Sequence, residues 1–331
     1  MQGITASVLT IAFVLIALLT SSAALIWAER RLLALWQDRY GPNRVGPLGL
    51  FQPVADMIKI FTKDDWVPPF ADRAVFVLAP AIIVVTVLTA FAVIPFAPGV
   101  AVVDLDIGVI FFLAMSSLSI YSVVLAGWSS NSKYALLGGL RGAAQMLSYE
   151  IFMGLSIMGV VLLAGSFNLS DIVEAQRGMW FFIPQLPGLL IFFLAGLAET
   201  HRLPFDLPEA ENELVAGYHT EYSGLKFGMF YIGEYLGITL IASMITVLFL
   251  GGWLGPVLPP AAWFVLKTGA VIAVFILLRA SLPRPRFDQL MGFGWKVMLP
   301  LALINLLATG GILLALTDAT PLPDGTDAEP L

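Results

Sequence analysis

The chain has 331 residues, of which 59% are hydrophobic and 12% are charged, and its mean hydropathy is +0.89. Soluble domains carry about 25% charged residues, so this composition excludes an ordinary soluble protein and indicates an integral membrane protein. Cysteine is absent and there are two histidines, His201 and His219. This excludes disulfides, Fe–S clusters and cysteine zinc sites, and it leaves a weak basis for any metal site. The net charge of −6 indicates little, because the placement of basic residues matters more in a membrane protein.

Eight apolar segments are long enough, at roughly 17–25 residues each, to cross a bilayer as helices. The first is predicted to be a retained span rather than a signal peptide, because no Lys or Arg precedes it and Glu29, Arg30 and Arg31 follow it directly. Pro184 and Pro187 interrupt the start of the fifth. The sequence therefore predicts an all-α membrane protein with about eight transmembrane helices. They lie near 4–28, 74–97, 107–127, 142–164, 180–198, 227–250, 261–280 and 296–316.

Basic residues are concentrated in every second connection. Of the 17 lysines and arginines, 15 lie in or directly beside 29–73, 128–141, 199–226 and 281–295. The positive-inside rule makes these four connections cytoplasmic loops and places both termini on the non-cytoplasmic side, as an even number of spans requires. Residues 1–317 are predicted to form a single transmembrane domain without internal repeats. Residues 318–331 are predicted to be a disordered C-terminal tail.

The first cytoplasmic loop contains a predicted amphipathic helix. Its apolar residues recur at helical spacing, and most of its polar residues fall on the other side. This pattern is typical of an interfacial helix lying in the plane of the lipid headgroups. The apolar positions are Leu50, Phe51, Val54, Met57, Ile58 and Phe61.

The segment from Glu199 to Lys226 holds six of the 23 carboxylates. Asp206, followed by Glu209, resembles a helix N-cap, so a short helix from about Leu207 to Val215 is predicted. A cap explains Asp206 but not Glu211 and Glu213. Glu209 and Glu213 would repel each other at i and i+4, which favours keeping a proton on one of them. A solvated cytoplasmic face is the alternative interpretation.

Three charged residues lie deep within predicted spans. Glu150 is nine residues past Arg141 and Glu234 is eight past Lys226, so each lies roughly 12–13 Å into the bilayer. Lys267 is also deep. Ionisable residues at such depth cost about 2.5–3.5 kcal/mol on insertion scales and usually mark ion or proton paths. The structural alternative is a Glu–Lys pair that only fixes helix packing.

Four long motifs carry a family resemblance that covers essentially residues 4 to 316. The chain resembles the membrane protein that joins the two arms of respiratory complex I, which is the H subunit of NADH:quinone oxidoreductase in bacteria and subunit 1 in mitochondria. We see no departure from the family pattern in the four segments. They read AERRLLALWQDRYGPNRVGPLGLFQPVADMIKIFTKDDW, GWSSNSKYALLGGLRGAAQMLSYE, AETHRLPFDLPEAENELVAGYHTEYSG and RASLPRPRFDQLMGFGWK.

The resemblance implies a subunit that forms the membrane side of the quinone chamber and starts a carboxylate path for proton translocation. The residues implied around the chamber and its access path are Glu29, Arg30, Arg39, Asp56, Lys59, Arg202, Phe205, Asp206, Glu209, Glu211, Glu213 and Glu221. The implied start of the proton path is Glu150, Glu199 and Glu234, to which the depth of Lys267 adds a further candidate. Within this set, the capping pattern leaves Glu211, Glu213 and Glu221 as the stronger functional candidates.

The resemblance also implies the surroundings. Ubiquinone or menaquinone is the expected substrate, while FMN, NADH and the Fe–S clusters belong to partner subunits. The expected partners are the peripheral-arm subunits that dock on the cytoplasmic loops, other membrane-arm subunits and the lipid bilayer, with no nucleic acid. The expected location is the bacterial cell inner membrane, as a multi-pass protein.

Three alternatives share some of these features. Related subunits anchor membrane-bound hydrogenases and use no quinone, although the complete ERR…GPNRVGP loop favours complex I. A stand-alone ion transporter is disfavoured by the missing repeats and the crowded cytoplasmic loops. A purely structural anchor would be revealed by glutamate substitutions that have no effect after assembly.

Overall fold

The computed structural model describes residues 2–209 and 215–319, and within these ranges it is built from helices and loops without a β-strand. The all-α prediction is therefore confirmed for the described part of the chain. The helices are α1 (Gln2–Trp36), α2 (Gln52–Thr62), α3 (Arg73–Ala90), α4 (Gly108–Ser129), α5 (Lys133–Ala164), α6 (Leu169–Ala175), α7 (Leu186–Glu199), α8 (Gly224–Phe249), α9 (Pro260–Ser281), α10 (Phe287–Phe293) and α11 (Leu299–Ala319).

Seven helical units in the described ranges are long and apolar enough to cross a membrane. They are α1, α3, α4, α5, α8, α9 and the continuous unit of α10 and α11, which a π-helical turn, Gly294–Met298, joins. The fifth predicted span differs, because α7 has 14 residues and is therefore only about 21 Å long. Pro187 lies in the first turn of α7, where a proline is tolerated because its missing N–H would have no helical partner.

Several helices extend into segments that were predicted to be loops. Helix α1 continues to Trp36, so Glu29 and Arg30 lie on a helix, and α5 begins at Lys133. The predicted loop 281–295 is largely helical, since α10 and the π-helical turn occupy most of it. These loop boundaries were too wide because polar residues at helix ends lower the hydropathy without ending the helix. The amphipathic segment is helical, as α2. The short helix predicted from 207 to 215 falls largely on residues 210–214, outside the described residues. Of the predicted tail, 318–331, the first two residues form the end of α11, and the rest lies outside the described residues.

Helix α8 lies at the centre of the packed helices, against α3, α9 and α1, while α4 packs between α3 and α5. Helices α4 and α5 approach closely at Gly127, where a Cβ would lie 2.5 Å from the Ala135 carbonyl oxygen. Small residues at such contacts let membrane helices pack through their backbones. The largest side chains buried in this core are aromatic: Phe76, Phe91, Phe112, Tyr149, Phe152, Phe192 and Phe249.

Contacts between connections define two ends of the helix bundle. At one end, Asp72 N donates to Ser129 O at 3.0 Å and Lys226 Nζ lies 2.6 Å from Asp65 Oδ2. At the other end, Phe182 N donates to Phe249 O at 2.9 Å. The connections rich in basic residues meet at the first end. The chain from Phe182 to Glu199, which includes α7, leads from the second end into the middle of the bundle, where Thr200 lies beside Gly237 of α8.

Candidate functional site

Four charged side chains meet in the protein interior near the basic end. Glu29 on α1 accepts hydrogen bonds from Arg279 on α9 and, at 3.4 Å, from Arg202 in the loop after α7. Arg202 Nε also lies 2.6 Å from Glu234 Oε1 on α8. Glu29 and Arg202 are at most 6% exposed at the side chain, whereas Arg279 is 32% exposed. We call these four residues the charge cluster; its two positive and two negative groups balance.

The loop that carries Arg202 is fixed by hydrogen bonds to α5. Gln145 is fully buried, and its amide donates to Ala198 O and Phe205 O, each at 2.8 Å. Phe205 N donates to Arg202 O at 2.7 Å, which closes a tight turn. The buried glutamine thus holds the end of α7 at Ala198 and the end of the turn at Phe205, and Arg202 lies between these two points.

Burial and nearby charges shift the pKa values of two side chains of this loop, Arg202 and Glu209. Burial by itself would lower the pKa of Arg202, but the carboxylates of Glu234 and Glu29 outweigh it and raise that pKa above its ordinary value. Burial raises the pKa of Glu209 well above its ordinary value, and Glu234 and Asp206 raise it further. Arg202 therefore stays charged, while Glu209 favours its protonated form.

Two small cavities adjoin the charge cluster. The loop cavity, of about 30 Å³, lies between the loop after α7 and helices α8 and α9. The helix cavity, of about 40 Å³, lies among α3, α4, α7 and α8. Each has room for water, which needs about 10–15 Å³ of such space. The polar residues lining the loop cavity are His201, Arg202, Asp206, Glu209, Tyr231, Glu234 and Arg279, and those lining the helix cavity include Ser116, Ser119, Glu199, Thr200, His201 and Glu234.

Serines of α4 hold the two inner carboxylates. Ser116 Oγ donates to Glu199 Oε1 at 2.8 Å, and Ser117 Oγ donates to Glu150. Because Ser116 and Ser117 are neighbours, Glu199 and Glu150 lie at the same level of α4. The carboxylates thus follow one another as Glu209 and Glu234 at the loop cavity, then Glu199 at the helix cavity, then Glu150.

The structure brings together part of the predicted chamber set. Glu29, Arg202, Asp206 and Glu209 converge with Glu234, and Phe205 is buried with its ring 5.8 Å from that of Tyr149.

The remaining chamber residues lie elsewhere or beyond the described residues. Arg30 pairs with Asp56 at 2.6 Å on the α1–α2 surface, where Lys59 is exposed. Arg39 is exposed and donates to Gln37, while Glu221 is half-buried and lines neither cavity. Glu211 and Glu213 lie among residues 210–214, outside the described residues.

Lys267 lies away from the carboxylates, at the opposite end of the bundle. Its ammonium group donates to the carbonyl oxygens of Leu250, Gly252 and Leu254 at 2.6–3.0 Å. It also lies 4.1 Å from the ring centroid of Trp180. Three carbonyls engage all three of its donors. The Glu–Lys pair considered as an alternative is not among the described ion pairs.

Several site residues were absent from the sequence prediction. Arg279 lies at the boundary of a predicted apolar span. The sequence did not distinguish it from the other basic residues that flank cytoplasmic loops. Ser116 and Ser117 form a small polar pair inside an otherwise apolar span, and such pairs often bond to other helices. In the sequence, this pair was the feature that could have indicated hydrogen-bond partners for Glu199 and Glu150. Among the described residues, no cluster of three His, Asp or Glu is arranged to hold a metal ion.

Comparison of the sequence with known proteins identifies the family of this chain. A sequence model of the NADH dehydrogenase family matches residues 9–310. The chain belongs to the NADH dehydrogenase family. It is 63% identical over 300 residues to the H subunit of the NADH-quinone oxidoreductase of Methylococcus capsulatus, and the match covers 90% of this chain and 95% of that protein. The resemblance drawn from the four motifs is confirmed.

Proposed function

We propose that the chain is the membrane subunit of a proton-translocating NADH:quinone oxidoreductase that forms the membrane side of the quinone chamber and starts the proton path. The observation that carries this proposal is the order of four carboxylates along two water-sized cavities. The family and the name of the bacterial relative support it. That name also favours this function over a hydrogenase anchor or a stand-alone ion transporter.

The chemistry requires charge compensation near the quinone. Reduction of a quinone to a quinol takes up two electrons and two protons, and Fe–S clusters of a partner subunit would supply the electrons. Glu209, which favours its protonated form, is suited to give up a proton on the chamber side, and Asp206 lines the same cavity. The two arginines of the charge cluster then stabilise the carboxylate that remains. Refilling that carboxylate couples the chamber to Glu234, Glu199 and Glu150.

The access path for the quinone is proposed to run beside α1 and α2. Val54, Ile58 and Phe61 are each more than half exposed on α2, which is the pattern of a helix lying in a membrane surface. The pair of Arg30 and Asp56 ties α2 to the end of α1. Arg39 and Lys59, both exposed nearby, would face the lipid headgroups or a docked partner.

The proposed topology has eight crossings and both termini on the non-cytoplasmic side. Support comes from the chain between Phe182, at the second end of the bundle, and Lys226, at the first, which connects the two ends although α7 alone is short. The basic connections meet at one end, which makes that end cytoplasmic by the positive-inside rule. Residues 1–317 would form one transmembrane domain of a bacterial inner-membrane complex.

The proposed partners follow from this topology. Peripheral-arm subunits would dock on the basic end, close to the charge cluster, while other membrane-arm subunits and lipid would cover exposed apolar helix faces. Glu221, and the acidic residues Glu211 and Glu213, would support the chamber from the same loop. Lys267 is left out of the proposed proton path, because its donors are engaged by three carbonyls at the opposite end.

Replacing Glu150 or Glu213 by Gln in the assembled enzyme tests the proposal. We expect both variants to lower NADH:quinone reductase activity and proton pumping together, while NADH–ferricyanide activity stays intact because it does not require the membrane subunit. Glu174→Gln is the matched control, since Glu174 is an exposed glutamate of α6 paired with Arg177. Full quinone reductase and pumping rates in both Glu150→Gln and Glu213→Gln would overturn the proposal.

A further inference from the structure

His201 and Glu234 are the two side chains that line both the loop cavity and the helix cavity. His201 follows α7 directly and is 4% exposed. Its Nε2 atom is buried without a hydrogen-bond partner among the described residues. A buried polar atom without a protein partner costs about 1–3 kcal/mol unless water satisfies it. The residue that carries this atom lines two water-sized cavities.

The backbone of His201 shows that its place is enforced by the surrounding structure. Its φ of 51° is in the left-handed region, which is uncommon for residues other than glycine but in which histidine is enriched. The residue lies between the end of α7 and Arg202, which the charge cluster holds in place. The ring also faces Tyr218, with the two ring centroids 6.3 Å apart. The imidazole therefore has one defined place between the cavities.

The imidazole of His201 is uncharged at neutral pH. Burial lowers the pKa of His201 to about 4, and the nearby His219 adds to this effect. Other charged and titratable groups lie around it. Those that line the same two cavities are Arg202, Arg279, Asp206, Glu209, Tyr231, Glu234 and Glu199, and Tyr218 faces the ring. A neutral imidazole has one N–H donor and one acceptor nitrogen, so it can hold water without changing its own charge.

We propose that His201 is a positioning residue that joins the two cavities by holding water at Nε2, so that protons pass between the Glu209 side and Glu199. The inference rests on the function proposed above and deepens it. The water at Nε2 accepts a proton from one cavity and gives an equivalent proton to the other. The imidazole ends in the state in which it began, and the O–H bond broken at a carboxyl on the Glu209 side is matched by the O–H bond formed at Glu199.

A matched pair of variants, His201→Gln and His201→Leu, tests this role in the assembled enzyme reconstituted in liposomes. Both side chains are unbranched at Cβ and meet the same left-handed backbone, so any strain is shared. Only Gln retains a polar group able to hold water near the position of Nε2. The readouts are protons pumped per NADH oxidised, the quinone reductase rate and its solvent deuterium isotope effect.

We expect His201→Gln to retain wild-type pumping within about twofold and His201→Leu to lose about tenfold. This is less than the roughly 10²–10⁴-fold of side chains that transfer the proton themselves, because His201 only positions water. The isotope effect should rise in His201→Leu, since proton delivery becomes limiting. Thr239→Val is the control for a buried polar-to-apolar change on α8, because its hydroxyl donates to Tyr235 O at 3.0 Å and lines neither cavity.

Two outcomes would overturn the inference. Wild-type behaviour of His201→Leu would mean that the ring only fills space, and equal loss in Gln and Leu would mean that an ionising imidazole is required. If His201→Leu fails to assemble, the wild-type enzyme decides the matter: a structure that resolves water must show one within hydrogen-bonding distance of Nε2, and its absence overturns the inference. Failure of the proposed function would appear differently, as full quinone reductase and pumping rates in both Glu150→Gln and Glu213→Gln.

Discussion

Arg202 Nε lies 2.6 Å from Glu234 Oε1, which joins the loop after α7 to the interior of α8. The guanidinium is also shared with Glu29, and its carbon lies 4.5 Å from the ring centroid of Tyr235. One arginine thus links the acidic loop to the first carboxylate that lies within a membrane-spanning helix. Any change of charge in the loop is felt at Glu234, because little solvent screens the pair.

Replacing Glu29 by Gln should destabilise the assembled enzyme. It leaves Arg202 and Arg279 to share one remaining carboxylate of the cluster, and removing one partner of a buried ion pair costs about 3–5 kcal/mol. Arg279→Met should cost less, because that side chain is 32% exposed. The temperature of half-inactivation measures both losses. The double variant Glu29→Gln/Arg279→Met should lose less stability than the sum of the two single losses, because both substitutions act on the same cluster. Strict additivity would contradict a shared cluster.

Lys267→Met should lower stability while leaving coupling intact. The change leaves the carbonyls of Leu250, Gly252 and Leu254 without their donor, at about 1–3 kcal/mol for each buried group left unsatisfied. We expect a lower half-inactivation temperature and an unchanged number of protons pumped per NADH oxidised below that temperature. A loss of pumping in an enzyme of normal stability would instead return Lys267 to the proton path.

Gly138→Ala should displace the turn that packs beside the site. A Cβ at Gly138 would lie 2.6 Å from Tyr218 N, and this backbone atom cannot move aside as a flexible side chain would. The turn Gly217–His219 must then shift, so we expect lower quinone reductase activity with NADH–ferricyanide activity retained. Gly154→Ala on the same helix is the control, because its Cβ would meet only Leu113 Cδ1 at 3.9 Å. Equal activity of the two variants would contradict the tight fit.

The histidine of this turn should make stability depend on pH. Burial lowers the pKa of His219 to about 4 from an ordinary value of 6.5, so the folded protein binds fewer protons than the unfolded chain between these values. Its contribution, up to about 3 kcal/mol, is present above pH 6.5 and is lost as pH falls toward 4. Glu209, with its raised pKa, acts in the opposite sense.

A comparison with His219→Gln isolates this contribution, since Glu209 is present in both proteins. The stability advantage of the wild type over the variant should shrink between pH 7 and pH 5, as followed by thermal unfolding. An advantage that stays constant over this range would mean that His219 has the same pKa in the folded protein as in the unfolded chain.

The features that depend on local sequence pattern could be predicted from the sequence. Hydropathy located the long helices, and helical spacing located α2. At α7 the sequence showed the prolines that interrupt the start of the fifth segment, but not that the helix has 14 residues. Helix ends were also missed, because charged residues such as Arg30 continue the helix.

The site was harder to predict than the fold, because its contacts join residues far apart in the chain. Depth marked Glu150 and Glu234 as acids that need polar partners, and the structure pairs them with Ser117 and Arg202. Nothing local, however, connects Glu29 to Arg279, which are 250 positions apart. The same depth argument placed Lys267 among the proton-path candidates, although the structure gives it three backbone carbonyls as partners. Depth shows that a charge needs a partner, while only the packing shows which partner it has.

The central claim is that protons move through the carboxylates between the loop cavity and Glu150. Glu199 tests it most directly, since it lines the helix cavity and bonds to Ser116 beside the Glu150 site. The measurement is the number of protons pumped per NADH oxidised by Glu199→Gln enzyme in liposomes. We expect a loss of pumping of at least about tenfold together with slower quinone reduction. Normal pumping at the normal rate would contradict the claim.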